Sequence, residues 1–373
     1  MSSAKIYIEQ RLAERRASGA YRTLKPENNL VDFCSNDYLG LARSIELKNN
    51  TDKEIVGYHN TLNGSTGSRL ISGNLAYTED LEKQIAVYHD SETGLFFNSG
   101  YDANMGLFSS LPRRGDTIIT DELIHASIID GARLSHANRY TFTHNDLDSL
   151  ESKLQHAKGI CYVAIESIYS MDGDTPPLLD ILTLTEKYNA HLIVDEAHAV
   201  GLYKQGLIIH LNLQDRVFAR VVTFGKALGC HGAIVLGGNL LREYLINFSR
   251  SFIYTTAAPF HQLVSVKMAY ELLKQSDEAI GLLKTNISLF KSLIAGNVEL
   301  IASDSSIQCI LLKSNEKARG MAAELQNKGL DVRAILSPTV PQGLERIRIC
   351  LHTYNTAEEI TLLANTINQY HNG

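Results

Sequence analysis

The chain has 373 residues, of which 44% are hydrophobic and 20% are charged, with a formal net charge of −6. This composition is ordinary for a globular protein and excludes the disordered and fibrous classes. Lys and Arg form no run longer than two, which argues against a nucleic-acid-binding surface and against a polybasic membrane anchor.

The cysteines and the hydropathy pattern indicate the cellular compartment of the protein. Five cysteines are scattered along the chain, with no CxxC motif and no Cys/His spacing suited to zinc, so we expect neither disulfides nor a metal site. The first 16 residues lack the apolar core of a signal peptide, and no stretch approaches the ~20 apolar residues of a membrane span. These features predict a cytoplasmic protein that does not enter the membrane.

The predicted elements begin with an arm and continue as an alternating α/β pattern. Residues 1–17 place Ile8, Leu12 and Ala13 at helical spacing, and residues 18–45 are irregular, so residues 1–45 form the expected N-terminal arm. The predicted strands beyond it are Thr93–Phe97, Asp116–Thr120, Gly159–Ile165, His191–Val194, Val217–Thr223 and Ala233–Leu236. Strands separated by helical segments predict a mostly parallel sheet with helices on both faces.

The last third of the chain has a different pattern. A long helical stretch from about Phe260 to Ala295 precedes two short strands, Ser306–Leu312 and Arg346–Leu351, around a helix at Glu316–Lys328. This pattern predicts a small α+β domain. We expect residues 46–280 to form a large domain and residues 281–373 to form the small C-terminal one.

Two predicted strands end in chemically active residues. The strand through Val194 runs into Asp195, Glu196, Ala197 and His198, at the sheet edge where open α/β sheets bind ligands. A lone Asp at a strand end is as often a helix cap. About thirty residues later another apolar strand ends at Lys226, which has glycines on both sides. Either residue alone is ordinary, but together they indicate an active site.

Other candidates lie after neighbouring strands. The segment Phe96–Asn104 is a strand, an Asn-Ser-Gly turn and the start of a helix, so the backbone amides of Gly100 and Tyr101 are candidates for binding phosphate, with the hydroxyl of Thr223 as a third donor. His125 starts a helix, and Ser170 follows the strand that ends near Glu166. Capping and turn chemistry also explain residues of these types.

Six ordered motifs resemble the α-oxoamine synthases, a family of pyridoxal 5′-phosphate (PLP) enzymes, over essentially the whole chain. The motifs are Ser35–Leu41, Gly64–Gly73, His125–Ser127, Ser170–Asp174, Asp195–His198 and Thr223–Lys226. The resemblance implies the PLP-dependent transferase fold (aspartate-aminotransferase-like, fold type I). It also implies PLP bound covalently as an aldimine at Lys226, with Asp195 keeping the pyridine nitrogen protonated.

The same resemblance implies further roles in cofactor binding. His198 would bind the 3′-oxygen of the cofactor, His125 would stack on its ring, and Ser170 would join the surrounding hydrogen bonds. Thr255 or Thr256 would reach the phosphate of a neighbouring subunit, which implies a homodimer with shared active sites.

Four residues are implied to meet the substrates. Arg348 would pair with the carboxylate of the amino acid, a bidentate task that suits a guanidinium group. Asn36 would also contact substrate, and Arg22 and Thr339 would meet the acyl group. Lys226 would act first as nucleophile and then as base, which requires a lowered pKa.

Family members condense an amino acid with an acyl thioester and release CO₂. The segments Phe252–Pro259, Ser337–Gly343 and Arg346–Arg348 favour the branch that joins L-alanine to a pimeloyl thioester of CoA or of acyl carrier protein in biotin synthesis. Branches that use glycine with acetyl-CoA (2-amino-3-ketobutyrate CoA ligase) or serine (serine palmitoyltransferase) are the alternatives. A catalytically inactive member would have lost the strand-end Lys or Asp, and both are present.

Overall fold

The computed structural model describes residues 2–24, 26–58 and 63–372. The chain begins with helix α1 (Ser3–Ala17), a two-residue strand β1 (Val31–Asp32) and helices α2 (Ile45–Val56) and α3 (Ala76–Tyr88). The predicted N-terminal helix is therefore confirmed, although none of its side chains is buried. No helix in the described ranges is both long and apolar enough to cross a membrane.

A seven-stranded sheet forms the centre of the molecule. Its strands are β2 (Thr93–Phe97), β3 (Thr117–Asp121), β4 (Asn138–Phe142), β5 (Cys161–Glu166), β6 (His191–Asp195), β7 (Ala219–Thr223) and β8 (Ala233–Gly237). Their spatial order is β2-β8-β7-β6-β5-β3-β4, and β8 runs antiparallel to both of its neighbours while the other pairs are parallel. The predicted, mostly parallel sheet is confirmed.

The parallel order places three strand ends side by side. Central strands of a parallel sheet are covered on both faces, which explains why β5 and β6 read as nearly continuous apolar runs. Because β5, β6 and β7 are parallel neighbours, their carboxyl ends meet at one edge of the sheet. Glu166, Asp195 and the residues after Thr223 therefore share that edge.

Helices cover both faces of this sheet. They are α4 (Gly100–Ser110), α5 (Ala126–Leu134), α6 (Leu147–Leu154), α7 (Leu178–Lys187), α8 (Leu207–His210), α9 (Asn239–Phe248), α10 (Arg250–Ile253) and α11 (Phe260–Lys274). One core cluster joins Leu107 of α4 and Ile128 of α5 to one face of the sheet, and another joins Ile181 of α7 and Leu263 of α11 to the other face.

The C-terminal third has the predicted α+β composition. It contains α12 (Asp277–Leu293), β9 (Ile307–Leu311), α13 (Asn315–Asn327), β10 (Leu330–Asp331), β11 (Arg333–Ile335), β12 (Arg346–Cys350) and α14 (Ala357–Asn372). Strands β11, β12 and β9 form an antiparallel sheet in that order. Strand β1 of the arm pairs with β10, so the arm is joined to this region. The expected domain boundary after residue 280 falls inside α12.

Candidate active site

Lys226 lies at the end of β7 in direct contact with a histidine. Its Nζ is 2.7 Å from Nε2 of His198, and Nδ1 of His198 is 2.6 Å from the hydroxyl of Tyr38. Burial lowers the pKa of His198 well below its ordinary value, and the positive charge of Lys226 adds to this effect, so the imidazole is neutral. Burial also lowers the pKa of Lys226 to about 8, against the opposing effect of Asp195 and Glu166. At neutral pH Lys226 therefore has a much larger neutral fraction than an ordinary lysine.

Asp195, the last residue of β6, is held by two hydrogen-bond donors. Its Oδ2 accepts a hydrogen bond from Nδ2 of Asn104 at 2.8 Å, and its Oδ1 accepts one from the backbone N–H of Ala197 at 2.9 Å. Asn104 also donates to Oγ of Ser127 at 3.0 Å, and that oxygen lies 2.7 Å from Nδ1 of His125. The carboxylate therefore has a fixed orientation at the buried sheet edge.

His125 precedes α5, and it is close enough to Asp195 and Lys226 for their charges to affect its pKa. Its Nδ1 accepts a hydrogen bond from the backbone N–H of Ser127 at 3.2 Å, which caps the helix and fixes the ring. Burial lowers the pKa of His125, Asp195 opposes this change, and Lys226 lowers the pKa further. The imidazole is therefore mainly neutral at neutral pH, and it can offer a flat, uncharged face to a bound ring.

The start of α4 forms a cradle of the kind that binds phosphate. Ser99 caps the helix by accepting a hydrogen bond from the N–H of Asp102 at 3.0 Å, so the preceding amides of Gly100 and Tyr101 are the free donors of the first turn. A Cβ atom on Gly100 would lie 3.3 Å from Oγ1 of Thr223, which indicates how closely the two segments approach. The amides, the helix dipole and the hydroxyl therefore converge where an anion fits.

Thr255 and Thr256 lie beside this cradle in the same chain. Nδ2 of Asn98 donates to Oγ1 of Thr255 at 3.0 Å and to the carbonyl oxygen of Thr256 at 2.8 Å. The side chain of Thr255 is partly buried, whereas Thr256 is exposed. Thr256 is thus free to contact a second molecule.

Three predicted residues meet around a buried guanidinium group. Nε of Arg348 donates to the carbonyl oxygen of Ser170 at 2.7 Å, and its Nη2 donates to Oδ1 of Asn36 at 3.0 Å. The same oxygen of Asn36 accepts a hydrogen bond from Tyr38 at 3.1 Å. Because Tyr38 also contacts His198, Arg348 is connected to Lys226 by a continuous chain of polar contacts.

A cavity of about 990 Å³ opens next to this cluster. Its lining includes His125, Ser170 and Thr339, and most of its surface is apolar, with contributions from Leu123, Ile124, Ile129, Met171, Ile301, Leu311, Val340 and Leu344. Nη2 of Arg22 is 3.5 Å from Oγ1 of Thr339, and both residues are exposed. The two residues assigned to the acyl group thus meet near this cavity, which suits an apolar chain.

Four residues of the site were not predicted individually: Tyr38, Asn104, Ser127 and Glu166. Tyr38 and Ser127 lie inside motifs that the sequence analysis identified, and Asn104 lies one turn into α4. Glu166 ends β5 as Asp195 ends β6, so the strand-end signal that indicated Asp195 applies equally to Glu166. Within the described part of the chain, no group of three or more His, Cys, Asp or Glu side chains is arranged to hold a metal ion.

Comparison with known sequences identifies relatives over nearly the full length. The family model for aminotransferase class I and II matches residues 28–367. The chain is 42% identical to the 8-amino-7-oxononanoate synthase of Emericella nidulans, covering 92% of this chain and 90% of that one. It is 36% identical to a putative 8-amino-7-oxononanoate synthase of Bacillus licheniformis, covering 95% and 94%.

Solved structures share the fold. The 8-amino-7-oxononanoate synthase of Francisella tularensis matches with a TM-score of 0.79 and 28% identity, over 92% of this chain and 98% of that one. The serine palmitoyltransferase of Sphingomonas wittichii matches with a TM-score of 0.89 and 24% identity, over 100% and 98%. This chain therefore belongs to the aminotransferase class I and II family and, within it, to the α-oxoamine synthases with the fold of PLP-dependent transferases.

Proposed function

We propose that this protein is an 8-amino-7-oxononanoate synthase. It condenses L-alanine with a pimeloyl thioester, and it releases CO₂ and the thiol to give 8-amino-7-oxononanoate for biotin biosynthesis. The observation that carries the proposal is the cluster of Lys226, His198 and Asp195 at adjacent strand ends. The 42% identity to a synthase of this name supports the choice of branch.

The residues of the cluster fit PLP as the cofactor. When bound, PLP supplies an electron-withdrawing ring that stabilises negative charge at the α-carbon of the amino acid. Lys226 would hold the cofactor covalently, and Asp195, oriented by Asn104, would keep the pyridine nitrogen protonated. His198 would bind the 3′-oxygen, and His125 would pack against the ring.

The phosphate of the cofactor belongs at the start of α4. The amides of Gly100 and Tyr101 would donate hydrogen bonds to it, and the positive end of the helix dipole would attract its charge. The hydroxyl of Thr223 would add a third donor by turning away from the carbonyl oxygen of Gly232, to which it donates at 3.2 Å. Ser170 belongs to the hydrogen-bond network on the other side of the site, since its carbonyl oxygen holds Arg348.

The amino acid binds through its carboxylate to Arg348. Asn36 and Ser170 hold the guanidinium group in place, which reduces the entropy lost when the substrate binds. Lys226, as a free amine, would take the α-proton of the amino acid and later return a proton to carbon. A pKa of about 8 suits this exchange at neutral pH, because a base is most effective when its pKa lies near the working pH.

The acyl thioester enters through the apolar cavity. The cavity accepts the methylene chain of a pimeloyl group, and Arg22 and Thr339 contact the acyl substrate at its entrance. CoA and acyl carrier protein present the same thioester on the same arm, so either carrier can deliver it.

The five cysteines are all free thiols, which supports a reducing compartment such as the cytoplasm.

The working unit is a homodimer with shared active sites. Large apolar side chains are exposed beside the phosphate cradle: Ile71 is 85% exposed and Tyr254 is 72% exposed. Their segments are linked within the chain by the hydrogen bond from the N–H of Ala257 to the carbonyl of Gly67. An exposed apolar surface of this kind suits a subunit interface, with Thr255 or Thr256 reaching the partner's phosphate.

Substrate competition tests this function. Purified enzyme with PLP should turn over alanine with pimeloyl-CoA or pimeloyl-acyl carrier protein faster than glycine with acetyl-CoA or serine with palmitoyl-CoA. Release of the thiol measures all pairs equally, and release of ¹⁴CO₂ from carboxyl-labelled amino acid additionally reports the decarboxylating pairs, those with alanine and serine. A preference for glycine with acetyl-CoA, or for serine with palmitoyl-CoA, would overturn the assignment in favour of a sibling enzyme.

A further inference from the structure

Glu166 is a buried carboxyl group that the proposed reaction does not use. It ends β5 and pairs in register with Asp195 at the end of β6, so two acidic residues lie on adjacent strands at the same edge. Adjacent strands are about 4.8 Å apart. The side chain of Glu166 is 2% exposed, and its Oε1 has no hydrogen-bond partner among the described residues. Burial of an acid beside a second acid is costly, and therefore requires an explanation.

One hydrogen bond connects Glu166 to the substrate side of the site. Its Oε2 accepts a hydrogen bond from the backbone N–H of Ser170 at 3.2 Å, and the backbone N–H of His125 also favours the charged form of this carboxyl group. The carbonyl oxygen of Ser170 in turn accepts the hydrogen bond from Nε of Arg348. Glu166 is thus connected through one residue to the guanidinium group assigned to the amino-acid substrate.

Glu166 can be buried beside Asp195 because its carboxyl group is mainly protonated. Burial, followed by the charge of Asp195, raises the pKa of Glu166 to about 8, whereas Lys226 and the two backbone amides oppose the change. At neutral pH the group is therefore mainly neutral. A neutral carboxyl group can still accept the amide of Ser170, and it does not add a second negative charge next to Asp195.

We propose that Glu166 is a positioning residue, which holds the backbone of Ser170 and thereby fixes Arg348 for the carboxylate of the amino acid. This inference rests on the proposed function, because it takes Arg348 as the carboxylate site. It differs from a purely structural role in one respect: loss of the Glu166 contact weakens binding of the amino acid more than binding of the thioester.

Two substitutions of Glu166 distinguish the effect of losing its hydrogen-bond acceptor from the effect of changing the volume of its side chain. Glu166→Gln keeps a neutral group with an acceptor oxygen, and Glu166→Leu keeps a similar volume without one. Asp116→Leu is the matched control, since Asp116 is also buried and also accepts a backbone N–H, from Ile160 at 3.0 Å, but it lies just before β3, at the opposite edge of the sheet. Thermal unfolding of all three variants reports the effect on stability.

The measurement is alanine affinity, taken from the change in the cofactor absorbance of the holoenzyme on titration with alanine, together with KM for each substrate. We expect Glu166→Leu to weaken alanine binding about tenfold, because Arg348 is then no longer held in place before alanine binds, with KM for the thioester within about twofold. Glu166→Gln should stay within about threefold of the wild type, and Asp116→Leu should change stability without changing alanine affinity.

Several outcomes would overturn the proposal. They are an unchanged alanine affinity in Glu166→Leu, or an equal loss in Asp116→Leu. If Glu166→Leu does not fold, Glu166→Asp replaces it, because the shorter side chain moves its oxygens away from Ser170, and unchanged affinity there is equally decisive. If wild-type holoenzyme gives no response to alanine, the proposed function itself fails, and this result is distinct from a failure of Glu166.

Discussion

The two sides of the cofactor site differ in how completely one chain builds them. Around Lys226, three of the predicted site residues have hydrogen-bond partners within the chain: His198, Asp195 and Arg348, all of which are buried. On the phosphate side, Tyr101 and Thr256 are exposed, and Ile71 and Tyr254 extend into solvent nearby. This difference is what the proposed homodimer requires: one chain supplies the groups around Lys226, and a partner subunit would complete the phosphate side.

The largest expected effect is on the buried side, from Lys226→Ala. Turnover should fall by at least ~10³-fold, because the variant lacks both the covalent attachment and the base. The absorbance band near ~420 nm that a PLP–lysine linkage gives should also disappear. Lys187→Ala, on the exposed surface, is the control and should behave as the wild type. A Lys226→Ala variant that keeps the band and the activity would disprove the assignment.

Asp195→Asn should reduce turnover by ~10²-fold or more while PLP is still bound. The amide keeps the shape of the side chain but carries no charge to hold the proton on the pyridine nitrogen. Steady-state kinetics with a parallel measurement of bound PLP checks this expectation. Asp215→Asn provides an exposed control. Near-normal turnover of Asp195→Asn would mean that the buried side has been misassigned.

The lowered pKa of Lys226 gives a pH dependence. The neutral amine is the nucleophile, so PLP uptake by apoenzyme should rise about tenfold per pH unit from pH 6 and level off above about pH 8, where most of the amine is already neutral. Stopped-flow absorbance after mixing apoenzyme with PLP gives the rates. A midpoint near 10.5, the value of an ordinary lysine, would show that burial does not affect this amine.

Mixing of two inactive variants tests the exposed phosphate side of the site. The expected signal, a partial return of activity, is the smallest of the four. Lys226→Ala and Thr256→Asp should each be inactive, the second because its charge repels the phosphate. If Thr256 serves the neighbouring subunit, a mixed dimer contains one site with both defects and one intact site. Random mixing should then restore about a quarter of wild-type activity. If Thr256 serves its own subunit, or if the protein does not dimerise, no activity returns and the comparison between the two sides fails.

Much of the fold was predictable because its signals are local. The buried strands β5 and β6 appear as short apolar runs, and the polar residues that follow them mark the sheet edge. Strand β4 was not predicted, since it lies at the edge of the sheet and three of its five residues are exposed, which removes the apolar run. The helical stretch predicted from about Phe260 is two helices, α11 and α12. The break between them was not predicted, because no Gly or Pro marks it at Gln275 and Ser276.

The contacts of the site were predictable only in part. Motifs located Asn36 and Arg348, but not their hydrogen bond across 312 positions of the chain. Asn104 and Tyr38 were not assigned roles, because nothing in their local sequence indicates that they meet Asp195 and His198. Glu166 had the same strand-end signal as Asp195, and only its burial and its bond to Ser170 distinguish it from a capping residue.

The sequence by itself determined the order of the strands along the chain, the residue types at their ends and the class of chemistry, because these depend on local patterns. The tertiary structure decided which side chains are neighbours, which are buried and how their pKa values shift. The lowered pKa of Lys226 and the raised pKa of Glu166 both result from burial and from charges on separate strands. Only folding brings those strands together, so these properties could not be read from any single segment.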